Sequence, residues 1–122
     1  MIQEFLLVGS GSFFGGMARY GISLIFKGGG SVFPWATFLA NVIGCFLIGL
    51  ICAVFGRQSD MSANVYLFLT TGFCGGFTTF STFSKESLLL LQSGDYRYFF
   101  LYFLGSVLLG LLAVLAGYSA MK

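Results

Sequence analysis

Residues 72–84 read Gly-Phe-Cys-Gly-Gly-Phe-Thr-Thr-Phe-Ser-Thr-Phe-Ser and lie inside one long apolar segment, Val65–Leu91. The stretch holds three glycines, five hydroxyl side chains and two phenylalanines three positions apart, Phe80 and Phe83. A plain membrane anchor has no use for such a mixture. Glycine at that depth frees the backbone from regular helix, and in hydrocarbon each freed carbonyl or amide must find a partner in protein, water or an ion. The segment is therefore expected to be a helix broken near its middle, from Gly75 to Thr78, and to form the working part of a pore or carrier.

The whole chain agrees with a membrane setting. Of its 122 residues 57% are hydrophobic and 8% charged, against roughly 25% charged in soluble domains, and mean hydropathy is +0.94. Four apolar stretches are long enough for a hydrocarbon layer of roughly 30 Å, which takes about 20 helical residues: Phe5–Phe26, Trp35–Phe55, Val65–Leu91 and Tyr98–Ala120. The connections between them are short, one with glycines at 28–30 and another with a Ser93-Gly94-Asp95 turn. The expected architecture is all-α, residues 1–122 forming a single four-helix transmembrane domain. The first stretch is not read as a secretory signal, because it carries Glu4 where basic residues belong and holds Arg19 within it.

Loop charge is balanced. With four spans Arg57 and Lys122 share one side of the membrane and Lys27 and Arg97 the other, so the positive-inside rule fixes no orientation. A chain able to insert either way up, and small for enclosing a path alone, is expected to pair with an inverted copy of itself as an antiparallel homodimer. Small residues at four-residue spacing occur in every span: Gly11 and Gly15; Ala36, Ala40 and Gly44; Gly72 and Gly76; Ala113 and Gly117. They are read as helix-packing faces.

Polar residues inside the spans are the candidate functional groups, since a charge at a helix centre costs about 2.5–3.5 kcal/mol on insertion scales. Arg19 is either a side chain snorkelling to the interface or a cation drawing an anion into a vestibule. Asn41 lies deep in the second span, with Thr37 one turn earlier on the same face, and serves either as interhelical glue or as a lining amide. Ser106 adds a hydroxyl in the fourth span, and Lys85 and Glu86 adjoin in the third. Phe80 and Phe83 are expected on one side of their helix, with Ser81 and Thr82 between them. Aromatic ring edges carry partial positive charge, so they attract an anion without trapping it. Cys45, Cys52 and Cys74 all fall within spans with no CxxC spacing and no histidine in the chain; they read as packing residues, neither a metal site nor a disulfide.

These residues resemble the small dual-topology fluoride channels known as Fluc or CrcB, over nearly the whole chain. The likeness rests on Gly15-Gly16-Met17-Ala18-Arg19-Tyr20, on Ala36-Thr37-Phe38-Leu39-Ala40-Asn41 followed by Gly44, and on 72–84 with Lys85-Glu86 behind it. The resemblance implies a bacterial inner-membrane, multi-pass channel that exports fluoride passively, with two pores per antiparallel homodimer in the lipid bilayer and no nucleic-acid partner. It implies a fluoride pathway along Asn41, Phe80, Phe83, Ser81, Thr82, Ser106 and Tyr102, and a vestibule at Arg19 and Thr37. It also implies a structural sodium ion at the dimer centre, held by main-chain carbonyls of Gly75 and Thr78. The chain departs from its relatives in having Gly110 and Val114 where hydroxyls often continue the fourth span, and Ala36 where glycine is common. A small multidrug transporter, the rival reading, needs a buried glutamate in the first span, where this chain has only Glu4. An enzyme is not expected: the spans offer no nucleophile paired with a base.

Overall fold

The computed structural model describes residues 1–27, 32–56 and 62–121. Glycines 28–30, Arg57 and Lys122, on which part of the loop reading rests, lie outside them. Among the described residues the chain is helical with no strand. Helix α1 spans Ile2–Ile25 and α2 spans Trp35–Gly56. The third segment is composite: α3 at Ala63–Leu67, a π-helix at Phe68–Cys74, one turn α4 at Gly75–Phe77, and α5 at Ser81–Gln92. Helix α6, Tyr96–Met121, closes the bundle.

Local chemistry sets the ends. Pro34 cannot continue a helix backwards but leaves its carbonyl to accept Phe38 N–H at 3.1 Å, so α2 starts right after it. Ser62 caps α3, its hydroxyl accepting Val65 N–H. The expected Ser-Gly-Asp turn is a Schellman motif: Gly94 takes φ +84°, Asp95 N–H bonds Leu90 O at 3.1 Å, and Gly94 N–H bonds Leu91 O at 3.2 Å. The left-handed residue has to be glycine there, and α6 can begin two residues later.

Helices α2 and α6 are long and apolar enough to cross a membrane by length and composition. Helix α1 is long but diluted by glycines, serines and Arg19, and the third segment is interrupted. Leu101, Leu104, Leu108, Leu111, Leu112 and Leu115 leave a broad apolar face of α6 exposed, as lipid or a second chain would require. Two pairings build the bundle: α2 along α6, and α1 along the third segment. In the second pairing a side chain at Gly11 would meet Phe68 O at 2.6 Å and Gly72 Cα at 2.8 Å, so the backbones touch.

That contact corrects the expected position of the break. Gly75 has φ −62° and ψ −37°, ordinary helix, and Gly72 and Gly76 serve the approach to α1. The helix parts after Phe77, where Thr78 turns to φ −89°, ψ 164°, and resumes at Ser81. Gly72 and Gly76 are there for packing, and residues 78–80 form the break.

Candidate functional site

The break opens onto a groove of about 750 Å³, lined by α2, the third segment and α6. Its walls include Asn41, Gly44, Cys45, Thr71, Cys74, Gly75, Thr78, Thr79, Phe80, Phe83 and Ser106. Most of this lining is apolar, with polar groups from Tyr66, Thr70 and Thr71 upstream and from Asn41, Thr78, Thr79 and Ser106 at the break.

Asn41 holds the break together. Its Oδ1 accepts Thr79 N–H at 2.8 Å, and its Nδ2 donates to Thr79 O at 3.0 Å. Both backbone groups freed at Thr79 are thus satisfied by one side chain, which suits a segment in a low-dielectric setting. An amide has a second N–H and further lone pairs, so Asn41 keeps one donor for the groove after making the clasp. Glue and lining amide, left as alternatives by the sequence, are compatible in this geometry. The Thr79 hydroxyl accepts Thr82 N–H at 3.2 Å and caps the start of α5. On the upstream side Thr78 returns both its N–H and its hydroxyl to Cys74 O, at 2.9 and 2.8 Å.

Phe80 and Phe83 are neighbours, with ring centroids 6.1 Å apart, and both line the groove, but their surroundings differ. Phe80 stands in the break ahead of α5 and is 79% exposed, whereas Phe83 is 7% exposed. Phe83 packs on Tyr102 at 5.0 Å and Phe103 at 5.7 Å between centroids. One ring is free to meet a partner across the groove, and the other is fixed in the wall.

Ser106 lines the groove from α6, and its buried hydroxyl oxygen has no hydrogen-bond partner. An orphaned hydroxyl in such surroundings costs about 1–3 kcal/mol unless something else meets it, so a transient ligand there gains a ready donor. Tyr102 lies one layer behind the groove, fully buried, its hydroxyl donating to Glu86 Oε1 at 2.8 Å, and Thr37 on α2 is buried as well. Ser81 is exposed and Thr82 half-buried, both beside the groove and not among its walls. Arg19 is half-buried on α1, outside the groove lining, and its Nε is buried without a partner.

Gly75 and Thr78 line the groove together. In an unbroken helix Gly75 O would accept Thr79 N–H, and that N–H is committed to Asn41. Carbonyl oxygens released in this way are hard ligands that suit a hard cation, so these residues fit the role.

Two groups were not found by sequence reasoning. Thr79, read only as one hydroxyl among several, is the residue that Asn41 grips by its main chain. Glu86, noted in the sequence only as adjoining Lys85 in the third span, is the acceptor for Tyr102. Asn41 and Thr79 lie 38 positions apart, and Glu86 and Tyr102 16 apart across the Gly94 turn, so no local pattern marks either pair.

Apolar helices with lipid-scale length, packed around a helix break whose polar groups face one groove, define a helical membrane protein. The chain belongs to the CrcB-like (Camphor Resistance, CrcB) family, whose sequence profile matches residues 6–118. It is 46% identical over 117 residues to a Phocaeicola vulgatus protein named fluoride-specific ion channel FluC, covering 95% of this chain and 96% of that one. A protein of the same name from Azobacteroides pseudotrichonymphae is 42% identical over 119 residues, covering 97% and 95%. Another from Bacteroides fragilis is 55% identical over 85 residues, covering 70% and 66%.

Proposed function

We propose that this chain is the subunit of a fluoride-selective channel, acting as an antiparallel homodimer with two pores, in which fluoride leaves the cytoplasm passively across a bacterial inner membrane. The observation that carries the reading is the groove at the break, where Asn41, Phe80, Phe83 and Ser106 converge. The names of the relatives supply the anion, and the balanced loop charges support insertion in both orientations.

Fluoride is small and strongly hydrated, so its path must replace water with donors and still release the ion. The spare N–H of Asn41 and the unpartnered Ser106 hydroxyl are such donors. Phe80, exposed on one subunit, closes over the groove of the other and offers ring edges, which attract weakly. Phe83, fixed against Tyr102, forms the opposing surface. Ser81 and Thr82 extend the polar line at the start of α5, and the Tyr102–Glu86 pair continues it behind Phe83. Arg19, with a buried nitrogen lacking a partner, lowers the cost of bringing an anion towards hydrocarbon.

Carbonyls of Gly75 and Thr78 from both subunits would hold a central sodium ion, which would supply fixed positive charge. Nothing in this scheme needs a nucleotide or a hydrolytic residue. The rival proton-coupled exporter lacks its essential group here, because Glu4 is exposed at the start of α1 and paired with the terminal amine at 2.8 Å.

The test is fluoride efflux from proteoliposomes, followed with a fluoride electrode under a potassium diffusion potential. Rapid fluoride release with no chloride release is expected. Equal chloride release, or transport only of a cationic drug against a proton gradient, overturns the reading.

A further inference from the structure

The Asn41 clasp has a geometric effect on the residues assigned to the cation. A regular helix through this region would close Gly75 O with Thr79 N–H, and the break exists because that N–H points instead to Asn41 Oδ1 at 2.8 Å. Upstream, the last helical acceptor is Cys74 O, which takes both donors of Thr78. Gly75 O is thus the first carbonyl of the turn whose regular donor has been taken away. The second bond, Nδ2 to Thr79 O at 3.0 Å, holds Thr79 from the other end, so the preceding peptide stays extended with Thr78 at ψ 164°. One helical turn beyond Asn41, Gly44 leaves room for Thr78, since a side chain there would run into Thr78 Cγ2. Helix α2 therefore shapes the break at two points, and both act on Thr78 and Thr79.

We propose that Asn41 is a positioning residue for the cation site as well as a lining amide of the anion path: by capturing Thr79 N–H it keeps Gly75 O free to coordinate. The inference rests on the assignment of Gly75 and Thr78 as the cation's ligands. It makes a chemical distinction that a general stabilising role does not. What the cation site needs from position 41 is an acceptor for Thr79 N–H, whereas the anion path needs a donor. Aspartate keeps the acceptor and loses the donor, together with the Nδ2 bond to Thr79 O; leucine, similar in size, loses all of these.

The experiment uses the full-length protein in detergent, wild type, Asn41→Asp and Asn41→Leu, and reads thermal unfolding against NaCl concentration, with choline chloride holding ionic strength constant. Fluoride efflux from liposomes is measured alongside. Wild type is expected to melt at higher temperature as Na+ rises. Asn41→Asp is expected to keep that response at the same or lower Na+ while losing fluoride efflux. Asn41→Leu is expected to need at least about tenfold more Na+ for half of the shift, because Thr79 N–H regains Gly75 O as its partner. A wild-type protein with no Na+ response overturns the cation assignment itself. A wild-type response that Asn41→Leu retains unchanged overturns only the positioning role. If Asn41→Leu does not fold, Asn41→Asp decides alone: a folded variant that has lost the Na+ response overturns the proposal.

Discussion

Helices α2 and α6 run unbroken for 22 and 26 residues, whereas the segment packed on α1 changes to π-helix after five residues and parts after Phe77. Both pairings are sealed in the same way. A side chain at Gly15 would strike Phe73 O and Phe77 N, and one at Gly117 would strike Phe46 O and Leu50 N. Backbone contact through glycine is therefore compatible with regular helix in one pair and with irregular helix in the other. What separates them is a polar side chain supplied from outside. The third segment faces Asn41, which takes over its main-chain bonds, while α6 receives no such competitor among the described contacts. The break at residues 78–80 is held by that neighbour, and it leaves carbonyls and hydroxyls exposed on one groove.

The largest effect is expected where the two pairs are alike. Gly15→Val and Gly117→Val each push a branched side chain into a neighbouring backbone, which cannot retreat as a side chain can. Each should cost upwards of about 3 kcal/mol and leave little folded protein. Gly16→Ala, with nothing within 4 Å of the added carbon, should purify normally. Size-exclusion chromatography and circular dichroism of the three variants check this. A well-folded Gly15→Val protein would show that the α1 contact is looser than the backbone geometry requires.

The next pair of substitutions separates the groove from its support. Phe80 is 79% exposed and touches little of its own chain, so Phe80→Ile should leave thermal stability near wild type while bringing fluoride efflux down to that of empty liposomes. Tyr102→Phe should lower stability, and by removing a hydroxyl of the polar line it should slow efflux as well. It removes the donor to Glu86 from a fully buried site and should cost about 1–3 kcal/mol of stability. Unchanged efflux in Phe80→Ile rejects the ring-edge role, and an unchanged melting temperature in Tyr102→Phe rejects the importance of the Glu86 bond.

Much of this fold is legible in the sequence where one element decides its own shape. The expected Trp35–Phe55 and Tyr98–Ala120 correspond to α2 at Trp35–Gly56 and α6 at Tyr96–Met121, because Pro34 and Gly94 punctuate uninterrupted apolar runs. That the third segment breaks was legible too, from the crowding of hydroxyls and glycines in 72–84. Where it breaks was not, since glycine permits departure from helix without requiring it, and Gly75 is helical. The choice of Thr78 to Phe80 depends on Asn41, which only the folded bundle brings alongside. The π-helix at Phe68–Cys74 had no sequence signal either. Of the site, Asn41, Gly75, Thr78, Phe80, Phe83 and Ser106 could be named beforehand and do share the groove. Glu86 could not be assigned, because its partner lies on another helix.

The smallest expected effect concerns the regular pair and the stretch of α6 where relatives often place hydroxyls. Gly110 is buried on α6, and a side-chain carbon there would lie 3.5 Å from Cys45 Sγ, an ordinary contact. Serine at 110 therefore fits, replaces a poor helix former with a better one, and should raise stability by about 0.5 kcal/mol. It also adds a hydroxyl one helical turn beyond Ser106. If the anion follows α6 past Ser106, Gly110→Ser should increase fluoride efflux by a small factor, because a second donor then takes over from the first. If the path leaves α6 at Ser106 and continues along Ser81 and Thr82, efflux should stay at the wild-type rate while stability still rises. Initial efflux rates at matched reconstitution densities, read beside melting temperatures, distinguish the two routes. Regular helix would in the second case serve only as the wall against which the broken segment is held.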